Sequence, residues 1–434
     1  MSNFQTIFTA IFLAFFVFGV LVFAGLIPLG KSSNSNAPVG NVVIWGTFPS
    51  LSMSKIIEDI NSSNQDLIIK YVQKPKDTYQ QDILEAMASG AGPDLFFITP
   101  DMVIKNKKFI FPMPYANYPE KSFSSTFIEG SSVFLAKDGV MAFPVVSDPL
   151  VLYYNKELLT NAGIAKPPVY WDELFELNSS LTKKNNDGVI SQSMIALGGF
   201  DNINNAKDIM TLLLIGSGDS IIQNDRSDGT MSVVVNDKTP FTLSPVETAI
   251  GFFNEFSNLN NQAYSWNRSL PSSKEMFTSG KLAFYIGRAS ELFEIESVNP
   301  NLSFDVTNVL QTRNTNLKRT NGPIYALATN SRSTNVAGSL GVAGLISSPD
   351  IAREISTALS IPPAQKDLLN ENPTDPYIYT FYKSAIYLYP WLDPDTKITD
   401  IIFRDLYQNL ISNKLSSADA VNKLQSQLDL LIKK

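Results

Sequence analysis

Much of the architecture can be inferred from one stretch, FPVVSDPLVLYYNKELL, residues 143–159. It consists of two apolar runs that predict buried strands, separated by Ser147, Asp148 and Pro149. Proline restricts its own backbone and favours an extended conformation in the residue before it. The stretch therefore predicts two strands joined by a short fixed turn that carries a carboxylate.

Upstream of this stretch, strand patterns alternate with helix patterns. Three apolar runs predict strands and the two stretches between them predict helices: residues 41–48, 66–73 and 94–98 for the strands, and residues 52–60 and 79–89 for the helices. This alternation is typical of an α/β unit with a parallel sheet. Because ligands of open α/β sheets bind beyond the carboxyl ends of the strands, we expect ligand contacts there. The candidates are Trp45, Thr47, Phe48 and Asp101.

The composition excludes several classes of function. The 434 residues include no Cys and no His, which rules out disulfides, cysteine nucleophiles, Ser-His-Asp triads and His-based zinc sites. The net charge is −7 without a basic cluster, which argues against nucleic-acid binding. We therefore expect no catalytic set, no metal and no cofactor, and a site built from stacking and hydrogen bonding.

The N-terminal segment is the most apolar part of the sequence. Residues 7–29 carry no charge and would form a helix about 34 Å long, enough to cross a bilayer core of about 30 Å. Residues 1–6 lack the positive charge of a signal peptide, so we predict one retained transmembrane helix, with a cleaved signal as the alternative. Lys31 gives only a weak, slightly opposing bias on orientation. Residues 31–40 predict a flexible linker.

Six stretches, in order, resemble segments of the extracellular solute-binding proteins of ABC importers (family 1, the sugar-binding group that includes maltose-binding protein). They are VVIWGTF (42–48), MASGAGPDLFFITPDM (87–102), FPVVSDPLVLYYNKELLTNAGI (143–164), VYWDELFEL (169–177), MFTSGKLAFYIG (276–287) and WLDPDTKITDIIFRDLYQNLISNKLSSADAVNKL (391–424). Each motif alone is weak. Together they follow the family order and cover nearly all of residues 41–434.

The resemblance implies an α/β, two-lobe periplasmic-binding-protein-like fold with an interlobe cleft, preceded by one N-terminal transmembrane helix. It implies a first lobe of residues 41–146 and 282–322 and a second lobe of residues 149–281 and 323–434. The hinge is expected near residues 144–149 and 281–288, with Asp148 facing the cleft.

The resemblance also implies a function. The chain would be a monomeric, membrane-anchored receptor that delivers a ligand, with a carbohydrate expected, to ABC permease subunits by cleft closure. Its C-terminal domain would be extracytoplasmic on a single-pass anchor in the cell membrane. Bacterial relatives often carry a lipid-anchored Cys after the signal, whereas here LVFAG ends in Gly25, so the helix would be the tether.

Further site residues follow from the resemblance. Asp148 would accept hydrogen bonds from ligand hydroxyls, and Trp391 would stack on the ligand. Arg288 follows the second expected crossing, and Phe200 with Asp201 would present a loop of the second lobe. The full expected ligand-binding set is Trp45, Thr47, Phe48, Asp101, Asp148, Phe200, Asp201, Arg288 and Trp391. Without a cluster of Arg or Lys or a glycine-rich nest, a neutral polyhydroxylated ligand is preferred.

Alternative interpretations stay open. Trp45 and Trp391 could pack in a core, Asp101 could cap a helix, Asp148 could cap backbone amides, and Arg288 could form an interlobe salt bridge. For Trp171, Trp266 and Tyr153, packing is the preferred interpretation. Two other functions remain: an envelope protein that keeps the fold for partner contact, and a carboxylate-based glycosidase, which would need two carboxylates about 5–10 Å apart across the cleft.

Overall fold

A computed structural model describes residues 39–216, 218, 220–235, 245–313 and 317–433. Within them the chain forms two lobes, each with a five-stranded sheet and its own apolar core. No helix of this described part is long and apolar enough to cross a bilayer. The predicted transmembrane helix, residues 7–29, and all but the end of the predicted linker lie outside the described residues.

The strands and helices are numbered in chain order. The strands are β1 (Gly40–Gly46), β2 (Leu67–Gln73), β3 (Leu95–Ile98), β4 (Met113–Pro114), β5 (Leu135–Ala136), β6 (Gly139–Val140), β7 (Ala142–Ser147), β8 (Leu150–Asn155), β9 (Lys183–Lys184), β10 (Ile190–Ile195), β11 (Ile222–Asp225), β12 (Thr230–Val233), β13 (Leu282–Arg288), β14 (Phe304–Asn308) and β15 (Ile324–Thr329). The helices are α1 (Ser50–Ser63), α2 (Tyr79–Ser89), α3 (Pro100–Asn106), α4 (Glu120–Thr126), α5 (Lys156–Asn161), α6 (Glu173–Leu181), α7 (Ala206–Ile215), α8 (Pro245–Glu255), α9 (Ser273–Thr278), α10 (Leu292–Val298), α11 (Val336–Ile346), α12 (Pro349–Leu359), α13 (Lys366–Leu369), α14 (Pro376–Ala385), α15 (Thr396–Ile411) and α16 (Ser417–Ile432).

The sheet of the first lobe has the strand order β2-β1-β3-β15-β7. Strands β1, β2 and β3 are parallel, as their helical connections require, whereas β15 runs antiparallel to both β3 and β7. The parallel strands end at one edge of the sheet, where Thr47 and Thr99 follow β1 and β3. This edge faces the second lobe and forms part of the cleft described below.

The sheet of the second lobe has the order β14-β8-β13-β10-β9. Its centre is almost wholly apolar, because all six residues of β13 before Arg288 are buried and β8 is nearly so. Helices α7, α8, α15 and α16 cover this sheet and share its core. Trp266 and Tyr153 are fully buried in that core and Trp171 nearly so, which confirms packing as their role.

Strands β13, β14 and β15 each belong to the other lobe from the one that the sequence predicts. The expected first lobe included residues 282–322, but β13 and β14 pair with β8 in the second sheet. The expected second lobe began at residue 323, but β15 pairs with β3 and β7 in the first sheet. Helices α11 and α12 also pack on the first lobe. The second crossing therefore lies between β14 and β15, and not near residues 281–288.

The first and second crossings touch each other. The first runs through Asp148 and Pro149, from β7 to β8. The Asp148 N–H donates to the Pro323 carbonyl at 2.9 Å, and the Leu150 N–H donates to the Asn321 carbonyl at 2.8 Å. Between them Gly322 has a φ of +152°, and a Cβ there would lie 2.1 Å from the Asp148 carbonyl oxygen. Only glycine allows this close approach.

Candidate functional site

A cleft of about 810 Å³ lies between the two lobes. Its first-lobe wall includes residues that follow β1 and β2, the start of α2 and side chains of β3 and β15: Thr47, Lys76, Tyr79, Gln80, Phe97 and Tyr325. Its second-lobe wall is formed by a loop, the start of α7, the end of β13 and one turn of α15: Phe200, Asp201, Lys207, Asp208, Arg288 and Arg404. Both walls contribute aromatic and hydrogen-bonding side chains, which is the usual make-up of a ligand pocket.

Aromatic rings on the first-lobe wall are held in place from behind. The Tyr79 hydroxyl donates to the Phe97 carbonyl at 2.8 Å and to the Trp45 carbonyl at 2.9 Å. The Phe48 ring packs edge-on against Phe97 with centroids 5.0 Å apart, and its centroid lies 4.9 Å from that of Tyr325. The wall therefore places fixed aromatic rings along the cleft, of which Tyr79 and Phe97 are nearly covered and Tyr325 is partly exposed.

Arg288 and Asp208 form an ion pair on the second-lobe wall. Arg288 Nη2 lies 2.5 Å from Asp208 Oδ2, and both side chains are mostly covered. Burial opposes the charge of Arg288, but the Asp208 and Asp148 carboxylates outweigh it and raise the pKa of the guanidinium. Arg288 therefore stays charged and fixed, with its remaining donors free for other partners.

Two more cations of this wall are held by carboxylates. Lys207 Nζ lies 2.8 Å from Asp393 Oδ2. Burial raises the pKa of Asp393, and the Lys207 charge opposes that shift. Arg404 pairs with Asp201 and lies over the Phe200 ring, with its guanidinium carbon 5.1 Å from the centroid. The charges of this wall are thus largely neutralised within the protein.

Six of the nine expected ligand-binding residues line the cleft: Thr47, Asp101, Phe200, Asp201, Arg288 and Trp391. Trp391 joins the second-lobe core, is 8% exposed, and packs edge-on against Phe403 with centroids 6.2 Å apart. Only a small part of the Trp391 side chain is therefore exposed to the cleft. Arg288 forms a salt bridge, but its partner Asp208 belongs to α7 of the same lobe, so this pair is not the interlobe salt bridge of the alternative interpretation.

Trp45 and Phe48 do not line the cleft. Strand β1 continues to Gly46, so Trp45 lies inside the strand and its side chain takes the face opposite to that of Ile44. Lys74 Nζ lies 3.7 Å from the centroid of the Trp45 ring. Phe48 is 7% exposed and supports the cleft from behind, through its contacts with Phe97 and Tyr325.

Asp148 is also not among the lining residues, contrary to expectation. Its carboxylate accepts hydrogen bonds from the Ser290 N–H at 2.9 Å and the Ser290 hydroxyl at 2.6 Å. Burial raises the pKa of Asp148, although the Arg288 charge and the Ser290 hydrogen bonds oppose the shift. Asp148 therefore ties the first crossing to the turn after β13, as the amide-capping alternative predicts.

Asp101 contacts the opposite lobe at the mouth of the cleft. Its Oδ1 accepts from the Thr99 hydroxyl, and its Oδ2 accepts from the Thr396 hydroxyl of α15 at 2.7 Å. Nearby, Lys105 Nζ of α3 lies 2.7 Å from Asp395 Oδ2. We call these two contacts, Asp101–Thr396 and Lys105–Asp395, the mouth contacts. They join the first lobe directly to the start of α15.

Several lining residues were missed by the sequence analysis. Tyr79 and Gln80 follow strand β2, so the strand-end rule that selected Thr47 and Asp101 would have found them. Tyr325 lies within β15 and Asn321 within the second crossing, and no local pattern marks either of them. Their presence depends on the exchange of strands between the sheets.

The chemistry of the cleft fits an uncharged polar ligand. Six carboxylates and five basic side chains line it: Asp77, Asp101, Asp201, Asp208, Asp393 and Asp400, with Lys76, Lys207, Arg288, Lys397 and Arg404. The two signs therefore nearly balance, with one carboxylate in excess, and no cluster of one sign is available to bind an ion. Over the described ranges, no group of three or more His, Cys, Asp or Glu could hold a metal ion.

Two α/β lobes, two crossings that contact each other and a lined cleft between the lobes define a two-lobe binding protein. Residues 50–343, more than half of the chain, match the family model described as bacterial extracellular solute-binding protein. The chain belongs to this family, whose members bind solutes and are not enzymes.

Comparisons with solved structures agree with the fold. The chain is similar to a cyclo/maltodextrin-binding protein complexed with maltotetraose, at 15% identity and a TM-score of 0.73, over 93% of this chain and 99% of that one. It is also similar to the sugar-binding protein MalE from Xanthomonas citri, at 15% identity and a TM-score of 0.73, over 91% and 98%. Identities this low establish the shared fold alone.

A curated relative matches over a shorter segment. A candidate binding protein of Brucella abortus (strain 2308) is 24% identical over 157 residues, which is 36% of this chain. The match spans 38% of that relative's length.

Proposed function

We propose that this chain is an extracytoplasmic receptor that binds a neutral carbohydrate in the cleft and delivers it to an ABC importer. The observation that carries the proposal is the lining of the cleft, where fixed aromatic rings lie beside ion pairs that neutralise each other. Sugars present C–H faces to such rings and hydroxyls to such polar groups. An ionic ligand would meet a lining of nearly balanced charge, with six carboxylates and five basic side chains.

The structural neighbours favour the same ligand class. Their descriptions include maltotetraose bound to a cyclo/maltodextrin-binding protein and maltotriose bound to MalE from Bdellovibrio bacteriovorus. The cavity of about 810 Å³ is within the usual size range of small-molecule sites, roughly 300–1,000 Å³. We therefore propose an oligosaccharide as the first ligand to test.

Closure is the proposed signal to the importer. A ligand that contacts both walls binds the closed form more tightly than the open form, and this difference in affinity shifts the population towards closure. The mouth contacts, Asp101–Thr396 and Lys105–Asp395, can form only when the lobes approach. We further propose that residues 7–29 hold the receptor at the membrane surface beside the importer.

The test is a thermal-shift screen of the full-length chain, purified in mild detergent, against maltotetraose, other neutral oligosaccharides, polyols and peptides. A ligand at about 100 times its Kd should stabilise the folded chain by about 2.7 kcal/mol and raise the midpoint by several degrees. A flat response to every sugar would contradict the proposal.

A matched pair of tryptophan variants locates the binding. Trp391→Leu removes a ring that borders the cleft, whereas Trp45→Leu removes a ring outside it. We expect the sugar-dependent shift to disappear in the first variant and to persist in the second. The midpoint without sugar, measured for both, shows whether each variant is folded.

A further inference from the structure

Two hydrogen-bond donors that belong to the cleft lack a protein partner. Among the described residues, Gln80 Nε2 and Arg288 Nε are covered side-chain nitrogens without an acceptor. Gln80 is the second residue of α2 in the first lobe, and Arg288 is the last residue of β13 in the second lobe. Each wall of the cleft therefore contributes one unpaired donor.

An unpaired buried donor destabilises the folded chain, because the group loses its hydrogen bond to water and gains none in return. An apolar side chain of the same shape would avoid that cost at position 80. Buried polar groups without a hydrogen-bond partner are rare in folded proteins, so each one needs a structural or functional explanation. Both of these groups line the cleft, so a bound molecule is the explanation that accounts for them together.

The type of atom limits what that molecule can be. Gln80 Nε2 and Arg288 Nε only donate, so each needs an acceptor oxygen on the ligand. The Arg288 charge is already balanced by Asp208, with Asp148 close by. An anionic group would meet these carboxylates, whereas a neutral hydroxyl, ring or glycosidic oxygen accepts a hydrogen bond without adding charge.

We propose that Gln80 and Arg288 are the ligand-positioning donors of the cleft, one on each lobe, and that they select a neutral sugar that offers acceptor oxygens to both walls at once. This inference rests on the proposed function. Because the donors belong to different lobes, one ligand satisfies both only when the lobes are closed, so the same two residues couple ligand choice to closure.

Gln80→Met in the full-length chain is the test. Methionine keeps the length of the side chain and removes the donor, so the urea midpoint without sugar should stay equal or rise. Affinity for maltotetraose, or for the tightest sugar of the thermal-shift panel, should fall about tenfold by calorimetry, the usual worth of one hydrogen bond. Gln80→Glu, which replaces the donor by an acceptor, should lose at least as much.

Gln427→Met is the matched control. Gln427 lies on α16, outside the cleft lining, and its Oε1 is also buried without a partner. This variant should change the urea midpoint in the same direction as Gln80→Met and leave sugar affinity unchanged.

The outcomes separate this inference from the proposed function. If Gln80→Met lowers the urea midpoint, or binds sugar as tightly as the unaltered chain, Gln80 is a structural residue and the inference is wrong while the receptor function stands. If the unaltered chain binds no sugar of the panel, the proposed function fails, and the inference fails with it.

Discussion

On the second-lobe wall, Arg288, Lys207 and Arg404 are each held by a nearby carboxylate. On the first-lobe wall, Lys76, Asp77 and Asp101 form no ion pair with any described residue, and the other lining side chains are aromatic or uncharged. The second-lobe wall is thus fixed by its own charges, whereas the first-lobe wall keeps aromatic rings and one buried unpaired donor, Gln80 Nε2, for the ligand.

This difference suggests that the two walls contribute to ligand binding in different ways. Ion pairs that are already formed need no rearrangement when a ligand arrives, so the second-lobe wall is preorganised. The first-lobe wall contributes contact area that becomes useful only when the lobes close around a ligand.

The largest effect is expected at Gly322, where the two crossings touch. In Gly322→Ala the new Cβ would lie 2.1 Å from the Asp148 carbonyl oxygen, at a φ of +152° that side chains rarely adopt. The backbone must shift, and we expect a loss of about 3 kcal/mol in the free energy of unfolding, measured with urea.

Gly251→Ala is the control for that substitution. Gly251 lies inside α8 and a Cβ there would meet no atom within 4 Å. Because alanine favours the helix, this variant should gain about 0.5–1 kcal/mol. A Gly322→Ala variant as stable as the unaltered chain would show that the crossings can separate without cost.

An intermediate effect is expected on the second-lobe wall. Arg288→Met leaves the partly buried Asp208 carboxylate without its partner, and we expect a loss of about 2 kcal/mol in unfolding free energy. Lys76→Met on the first-lobe wall removes a cation that has no ion pair and should change stability by less than about 0.5 kcal/mol.

A rescue experiment tests the cause of the Arg288 effect. Asp208→Asn in the Arg288→Met background removes the uncompensated charge and should recover about 1 kcal/mol. Equal losses for the Arg288 and Lys76 variants would mean that the two walls do not differ as described.

Local elements could be predicted from the sequence because their signals are local. The strand patterns at residues 66–73 and 94–98 and the helix that starts at Tyr79 are confirmed to within a residue or two. Gly90 ends that helix in a left-handed conformation that glycine adopts easily. Such features depend on neighbours along the chain and need no knowledge of the fold.

Sheet membership could not be predicted in the same way. Strands β13 and β15 are both short, apolar and bordered by glycine, so nothing local shows which sheet either of them joins. The choice is made by pairing with β8 in one case and with β3 and β7 in the other. Because the sheet membership was predicted wrongly, the second crossing was expected at the wrong place. For the same reason Tyr325 and Asn321 were not among the expected site residues.

Which side chains line the cleft could also be predicted only in part from the sequence. The strand-end rule found Thr47 and Asp101, but it failed for Trp45 because β1 continues past it and side chains alternate along a strand. Asp148 was recognised as fixed by its proline, yet the direction of its carboxylate depends on Ser290, a residue far along the chain. Side-chain direction at a crossing is decided by contacts that the sequence does not display.

The smallest effect is expected at the mouth, where Lys105 of the first lobe pairs with Asp395 of the second. Burial opposes the charge of Asp395, but Lys105 and the N–H groups of Ile398 and Lys397 outweigh it and lower the pKa of the carboxyl. A lowered pKa means that this contribution to stability is present above the ordinary carboxyl range and is lost as the pH falls through the folded-state value.

Lys105→Met should therefore cost about 0.5 kcal/mol in unfolding free energy at neutral pH and almost nothing at strongly acidic pH, where Asp395 is protonated. Urea unfolding at the two pH values measures the difference, and Lys108→Met on the neighbouring turn, which forms no ion pair among the described residues, is the control. If the pair joins the walls only in the closed form, Lys105→Met should also weaken sugar binding about twofold. A loss of stability that is the same at both pH values would mean that Lys105 acts through packing of its carbon chain and not through Asp395.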